Sequence, residues 1–177
     1  MIDVNQMKEE MQDVLTQNIL RFWMTQMVDE ENGGFYGRID NSGVLHPEAE
    51  KGAILNARIL WSFSAAYRVL GNLDDLDSLD RLDYLEMAKR AYDYFIEHFI
   101  DHEYGGVYWS LDYKGQPLDT KKQFYAIGFA IYGLSEYARA TGDREALDYA
   151  LQLYDCIEEH AFDREHNGYI EACTRDD

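Results

Sequence analysis

Asp29-Glu-Glu-Asn-Gly-Gly-Phe-Tyr-Gly-Arg-Ile-Asp-Asn-Ser-Gly43 decides how this chain is read, because its opening returns twice further on. The second copy is Asp101-His-Glu-Tyr-Gly-Gly-Val-Tyr108, and a looser third is Asp163-Arg-Glu-His-Asn-Gly-Tyr169. Gly34 to Gly106 spans 72 positions and Gly106 to Gly168 spans 62, longer than the common short solenoid repeats and long enough for a pair of helices joined by a hairpin. Paired glycines permit backbone conformations closed to other residues, and the runs Phe35-Tyr-Gly-Arg-Ile and Val107-Tyr-Trp-Ser-Leu alternate as short strands do. Asn41-Ser-Gly43 and Tyr113-Lys-Gly115 supply turns. Each repeat therefore reads as helix, Gly-Gly corner, β-hairpin, helix.

Outward from the corners, the helices fall into two kinds. From Asp3 to about Met27, Met7, Met11, Val14, Leu15, Ile19, Phe22 and Trp23 share one face, which predicts an outer helix with one buried side. His46-Pro47 is expected to open the next helix, since proline suits a first turn. From about Glu48 to Leu70 little polar face remains, the mark of a buried helix. Leu82, Leu85, Ala88, Tyr92, Phe95 and Phe99 mark a second one-sided helix, and Phe124 to Ala140 a second buried one, preceded by Thr120-Lys-Lys-Gln123 read as a capping box. Asp143 caps a third one-sided helix running to His160. Asn72 to Asp83 is an acidic linker with Asp74, Asp75, Asp77, Asp80 and Asp83, expected as a solvated loop since no glycine turn or closing glutamate completes a calcium site.

Alternating one-sided and all-round apolar helices, with hairpins on one rim, predict an all-α fold: an incomplete (α/α)6 toroid in which inner helices ring a cavity. Five helices make about half of such a ring, so residues 1–177 read as part of a single barrel domain with an open edge.

Composition narrows the function. Acidic residues outnumber basic ones 34 to 16, and the net charge of −18 repels phosphate backbones and anionic lipid, which argues against nucleic-acid and membrane partners. A neutral small molecule such as a sugar is compatible. No basic start followed by an apolar stretch marks a secretion signal, and Cys156 and Cys173 form no CxxC pair, so a cytoplasmic location with free thiols is expected.

Comparison of the copies separates scaffold from chemistry. A shift of 62 places Glu97-His98 on Glu159-His160, which makes both histidines corner residues rather than catalysts. His46, His102 and His166 lie at a helix start or in corners, and none pairs with another at metal-ligand spacing. A shift of 71 places Lys51 on Lys122 and sets Arg58 opposite Phe129. A guanidinium cannot shed its charge and is costly to bury alone, so Arg58, amid Ile54-Leu-Asn-Ala-Arg-Ile-Leu-Trp61, must meet an anion, a carbonyl-rich pocket or water, in a functional role or in a structural ion pair with an inner acid. Tyr125, near the start of the other buried helix, faces the same cavity mouth or packs in the core. Gln123 is read as a cap and Trp61 as core, with sugar stacking as the alternative for Trp61.

Phe22-Trp23, Asp29-Glu-Glu-Asn-Gly-Gly-Phe-Tyr36, Lys51-Gly-x-Ile-Leu-x-x-Arg-Ile-Leu-Trp61, Tyr104-Gly-Gly-Val-Tyr-Trp109 and Phe129-Ala-Ile-Tyr-Gly-Leu-Ser-Glu-Tyr137 together resemble the N-acylglucosamine 2-epimerase family, and within it the cellobiose 2-epimerase branch. The resemblance implies an (α/α)6 barrel that holds the reducing end of a sugar and inverts C2 without metal or redox cofactor. It matches Arg58 to the arginine at the reacting oxygen and Tyr125 to a substrate-contacting tyrosine. The family's two catalytic histidines come from later inner helices, so this chain alone is expected to bind sugar weakly and not to epimerise it. Two other readings stand beside this one. An (α/α)6 glycoside hydrolase needs paired carboxylates in the cavity, for which Glu50 and Glu136 are poor candidates. A non-catalytic toroid fragment would self-associate through its open edge.

Overall fold

A computed structural model describes residues 3–72 and 78–176; Asp74, Asp75 and Asp77 of the acidic linker lie outside them. The chain opens with one helical rod made of α1 (Val4–Asp13), a π-helical stretch (Val14–Leu20) and α2 (Arg21–Gln26). Asp3 caps it by accepting from the amides of Asn5 and Gln6. Three further rods follow: α3 (Ala53–Val69), α4 (Ser78–Tyr94) with a π-helical continuation through Phe99, and α5 (Phe124–Thr141). The last is α6 (Arg144–His160), whose cap is Asp143, accepting from Glu145 and Ala146 as the sequence predicts.

The two apolar helices lie side by side, α3 against α5, with α4 packed on α3 and α6 on α5. They approach closely at Gly133, where a Cβ would come within 2.7 Å of the Ala57 carbonyl oxygen. Only glycine lets two helical backbones meet there. Ala57, Leu60, Ile127, Ala130 and Leu134 fill the seam completely buried.

The three repeated corners share one construction. In the first, Asp29 Oδ1 accepts from the amides of Glu31 and Asn32, and Gly33 and Gly34 take φ of +78° and +63°. In the second, Asp101 Oδ1 accepts from Glu103 and Tyr104, with Gly105 and Gly106 at +75° and +69°. In the third, Asp163 accepts from Glu165 and His166, and Asn167 takes the left-handed position at +53°.

A lysine from the start of the following buried helix then reaches back to each of the first two corners. Lys51 Nζ donates to Asp29 Oδ2 at 2.8 Å and to the Gly33 carbonyl at 2.7 Å, above the Tyr94 ring. Lys122 Nζ donates to Asp101 Oδ2 at 2.6 Å above Tyr108. An arginine secures each corner from the other side. Arg90 donates to the Gly34 and Asp29 carbonyls, while Arg175 bridges Asp101, Glu103 and Tyr108.

Short strands tie these corners together: β1 (Lys51–Gly52) pairs with β2 (Ser110–Leu111), β2 with β3 (Pro117–Asp119), β4 (Lys122–Gln123) with β7 (Ala172–Cys173), and β5 (Phe162–Asp163) with β6 (Gly168–Tyr169). Because β1 leads into α3 and β4 into α5, both buried helices leave the same rim and run the same way.

Two local expectations are corrected. His46-Pro47 opens no helix: His46 is held by Asp40 Oδ2 at 3.1 Å, and α3 begins only after Lys51 and Gly52 have joined β2. Thr120 to Gln123 is no capping box, because Lys122 and Gln123 form a strand with β7 and the Gln123 side chain makes no cap bond. Among the described residues no helix is long and apolar enough to cross a membrane.

Candidate functional site

The faces of α3 and α5 turned away from α4 and α6 border a cavity of about 800 Å³. From α3 come Arg58, Trp61 and Ser62, and from α5 Phe124, Tyr125, Gly128, Phe129 and Tyr132. Spacings of three and four residues put each set on one helical face. Arg58 and Tyr125, expected apart in sequence and together in space, do border the same cavity.

The walls are aromatic. Trp61 stacks on Tyr132 across the seam, ring centroids 4.9 Å apart and planes 10° from parallel, and Tyr125 meets Phe129 edge to face at 5.0 Å. Trp61 is thus half-buried wall rather than core, and Tyr125, 66% exposed, presents its ring and hydroxyl to the opening. Flat apolar rings with polar edges suit the faces of a sugar. Gly128 leaves open space between them.

Arg58 is the charged member of this lining, exposed, with no hydrogen bond or ion pair among the described residues. Other arginines differ. Arg68 donates to Glu136 at 2.7 Å, Arg90 binds corner carbonyls and Glu30, and Arg175 binds Asp101 and Glu103. An unpaired guanidinium in an aromatic cavity offers a planar array of donors to a partly negative oxygen.

The carboxylates and histidines lie elsewhere. Glu136 is buried against Arg68, and Glu50 accepts from Ser110 at 3.2 Å. His98 lies against the Tyr94 ring, His102 bonds the Ile96 carbonyl, His160 faces Glu159 at 4.0 Å and His166 bonds Asp163 at 2.8 Å. With His46 on Asp40, none of the five histidines borders the cavity. His98, His102 and His166 sit at the Gly-Gly corners, as the repeat comparison predicts for His98. Among the described residues no group of three His, Cys, Asp or Glu side chains could hold a metal ion.

Sequence reasoning missed Ser62, Gly128, Phe129 and Tyr132 as lining residues. Their signal is spacing: each lies within one helical turn of Arg58 or Tyr125, or one turn beyond, on the same face. It also missed the buried Asp29–Lys51 and Asp101–Lys122 pairs, although the separations, 22 and 21 residues, repeat.

Helical hairpins whose inner members share an aromatic cavity, with β-hairpins on one rim, define the (α/α)6 toroid class. The fold recurs in a family 76 α-mannanase of Bacteroides thetaiotaomicron, at 19% identity and a TM-score of 0.69. This chain belongs to the N-acylglucosamine 2-epimerase (GlcNAc 2-epimerase) family, which it matches over residues 34–176. It is 63% identical over 170 residues to cellobiose 2-epimerase of Bacteroides fragilis, covering 96% of this chain and 41% of that protein. It superposes on the cellobiose 2-epimerase of Bacillus thermoamylovorans with a TM-score of 0.90 at 44% identity, over 98% of this chain and 42% of the other. The chain thus spans about two fifths of the length of these relatives.

Proposed function

We propose that residues 1–177 form the sugar-anchoring part of a single-barrel aldose 2-epimerase, acting on a cellobiose-type disaccharide or an N-acylglucosamine. Arg58 carries this reading: an unpaired cation between aromatic walls, in a family whose similar members are named cellobiose 2-epimerases. Once the reducing-end ring opens, the C2 hydrogen stands beside the C1 aldehyde and can leave as a proton. The electron pair left behind spreads onto the C1 oxygen as an enediolate, and a proton returned to the opposite face of C2 gives the epimer. Arg58 stabilises the oxygen that gains charge, and the Tyr125 hydroxyl donates to a neighbouring sugar oxygen. Trp61 and Phe129 hold the sugar faces.

The proton-transfer groups are not among the described cavity residues, so the chain by itself anchors substrate without turning it over. A glycoside hydrolase is the weaker reading, since its paired carboxylates have no counterpart in this lining. No disulfide joins Cys156 and Cys173, which fits a reducing compartment, and we place the chain in the cytoplasm.

Saturation-transfer NMR of the chain with cellobiose in heavy water tests both halves of the reading. The expected result is weak binding that Arg58→Ala abolishes, with no deuterium entering C2. Rapid C2 labelling by the chain alone, or binding indifferent to Arg58→Ala, would refute it.

A further inference from the structure

We infer that Tyr132 is a specificity-determining residue of the cavity: its hydroxyl grips the C3 oxygen of the reducing-end sugar unit, the nearest hydroxyl oxygen that keeps its place when C2 is inverted. The inference rests on the epimerase reading above. Tyr132 and Trp61 hold equivalent places in the two buried helices, and the shift of 71 that sets Lys51 on Lys122 also sets Trp61 on Tyr132. Their rings stack 4.9 Å apart, and the Phe129 ring meets Tyr132 at right angles with centroids 6.4 Å apart. These contacts fix the Tyr132 ring, yet the residue is 47% exposed in the cavity and its hydroxyl bonds no described residue. Phenylalanine would make the same stack. The hydroxyl is what tyrosine adds, free both to donate and to accept, and a side chain held in place before the ligand arrives loses little freedom on binding.

Arg58 and Tyr132 are placed to meet one sugar unit. The two buried helices come together where a Cβ on Gly133 would meet the Ala57 carbonyl oxygen at 2.7 Å. Arg58 follows Ala57 and Tyr132 precedes Gly133, and both line the cavity, so guanidinium and hydroxyl start from either side of that contact. A sugar with its C1 oxygen on Arg58 therefore brings its next carbons towards Tyr132. Which oxygen the hydroxyl takes follows from the reaction. Inversion carries the C2 oxygen from one face of the chain to the other, so a group that gripped it in the substrate would lose it in the product. The C3 oxygen does not move, and a grip on it holds both epimers and the enediolate between them in one register.

Ligand-observed NMR titration of the chain with D-glucose, 3-deoxy-D-glucose and 2-deoxy-D-glucose, repeated on Tyr132→Phe, tests this. The unaltered chain is expected to bind 3-deoxyglucose about three- to tenfold more weakly than glucose, the worth of one hydrogen bond. Tyr132→Phe keeps the stack and is expected to weaken glucose by the same factor, to bind glucose and 3-deoxyglucose alike, and to leave the ratio of glucose to 2-deoxyglucose where it was. Three results would overturn the inference and leave the sugar reading standing: no 3-deoxy penalty in the unaltered chain, a penalty that survives Tyr132→Phe, or an equal loss for all three sugars. An unaltered chain that binds none of the three would overturn both.

Discussion

Lys51 Nζ lies 2.8 Å from Asp29 Oδ2 with both side chains fully buried, so the first residue of β1 is locked to the first residue of the first corner. The pair sets where α3 begins, and α3 carries Arg58 two turns further on. Burial pushes the Lys51 ammonium below its ordinary pKa, and the Asp29 carboxylate opposes that shift.

Removing one partner should therefore cost more than removing both. Lys51→Met leaves a buried carboxylate unpaired and is expected to destabilise by about 3–5 kcal/mol. Lys51→Met combined with Asp29→Asn should recover a substantial part of that. Urea unfolding of the three variants gives the coupling directly, and strict additivity would show that the pair is not a unit.

The second corner predicts a dependence on acid. Burial pushes the Asp101 carboxyl up, but hydrogen bonds from Arg175 and Lys122 outweigh it and hold the group well below its ordinary 3.8. A depressed folded-state value adds stability that is present above the unfolded value and is lost as pH falls below it. Wild type should lose stability steeply below about pH 4, and Asp101→Asn should be weaker at neutral pH with a flatter acid limb. Chemical denaturation at stepped pH measures both slopes; parallel curves would contradict the assignment.

Two glycines in α5 should respond in opposite directions to the same change. At Gly133 an added Cβ meets the Ala57 carbonyl oxygen at 2.7 Å, so Gly133→Ala forces the two buried helices apart, at about 1–3 kcal/mol. At Gly128 nothing lies within 4 Å of an added Cβ, and Gly128→Ala should stabilise by about 0.5–1 kcal/mol through helix propensity. Thermal unfolding of the two variants checks the sign of each.

How far such features could be read in advance depended on how local their causes were. Asp143 and α6 were legible to the residue, because an N-cap bonds amides two and three positions away. The start of α3 was not, since Lys51 and Gly52 take their conformation from Leu111 and Ser110, some sixty residues later. Likewise Lys122 and Gln123 are drawn into a strand by Cys173 and Ala172, which defeats the capping box written into Thr120 to Gln123. Periodicity identified the apolar face of α1 but not that it stands uncovered, because coverage is a property of the neighbours. Arg58 stood out as the polar misfit in an apolar helix, whereas Trp61 and Tyr132 resembled core until α3 and α5 were seen to turn one face to open space.

Whether Arg58 is a cation kept free for a sugar oxygen is tested most directly by arginine side-chain NMR during a cellobiose titration. The Arg58 Nε–Hε signal is expected to shift with saturating dependence on cellobiose, while those of Arg68 and Arg90, already engaged with Glu136 and Glu30, stay fixed. An Arg58 signal indifferent to cellobiose, or one that moves no more than the signals of the paired arginines, would contradict it.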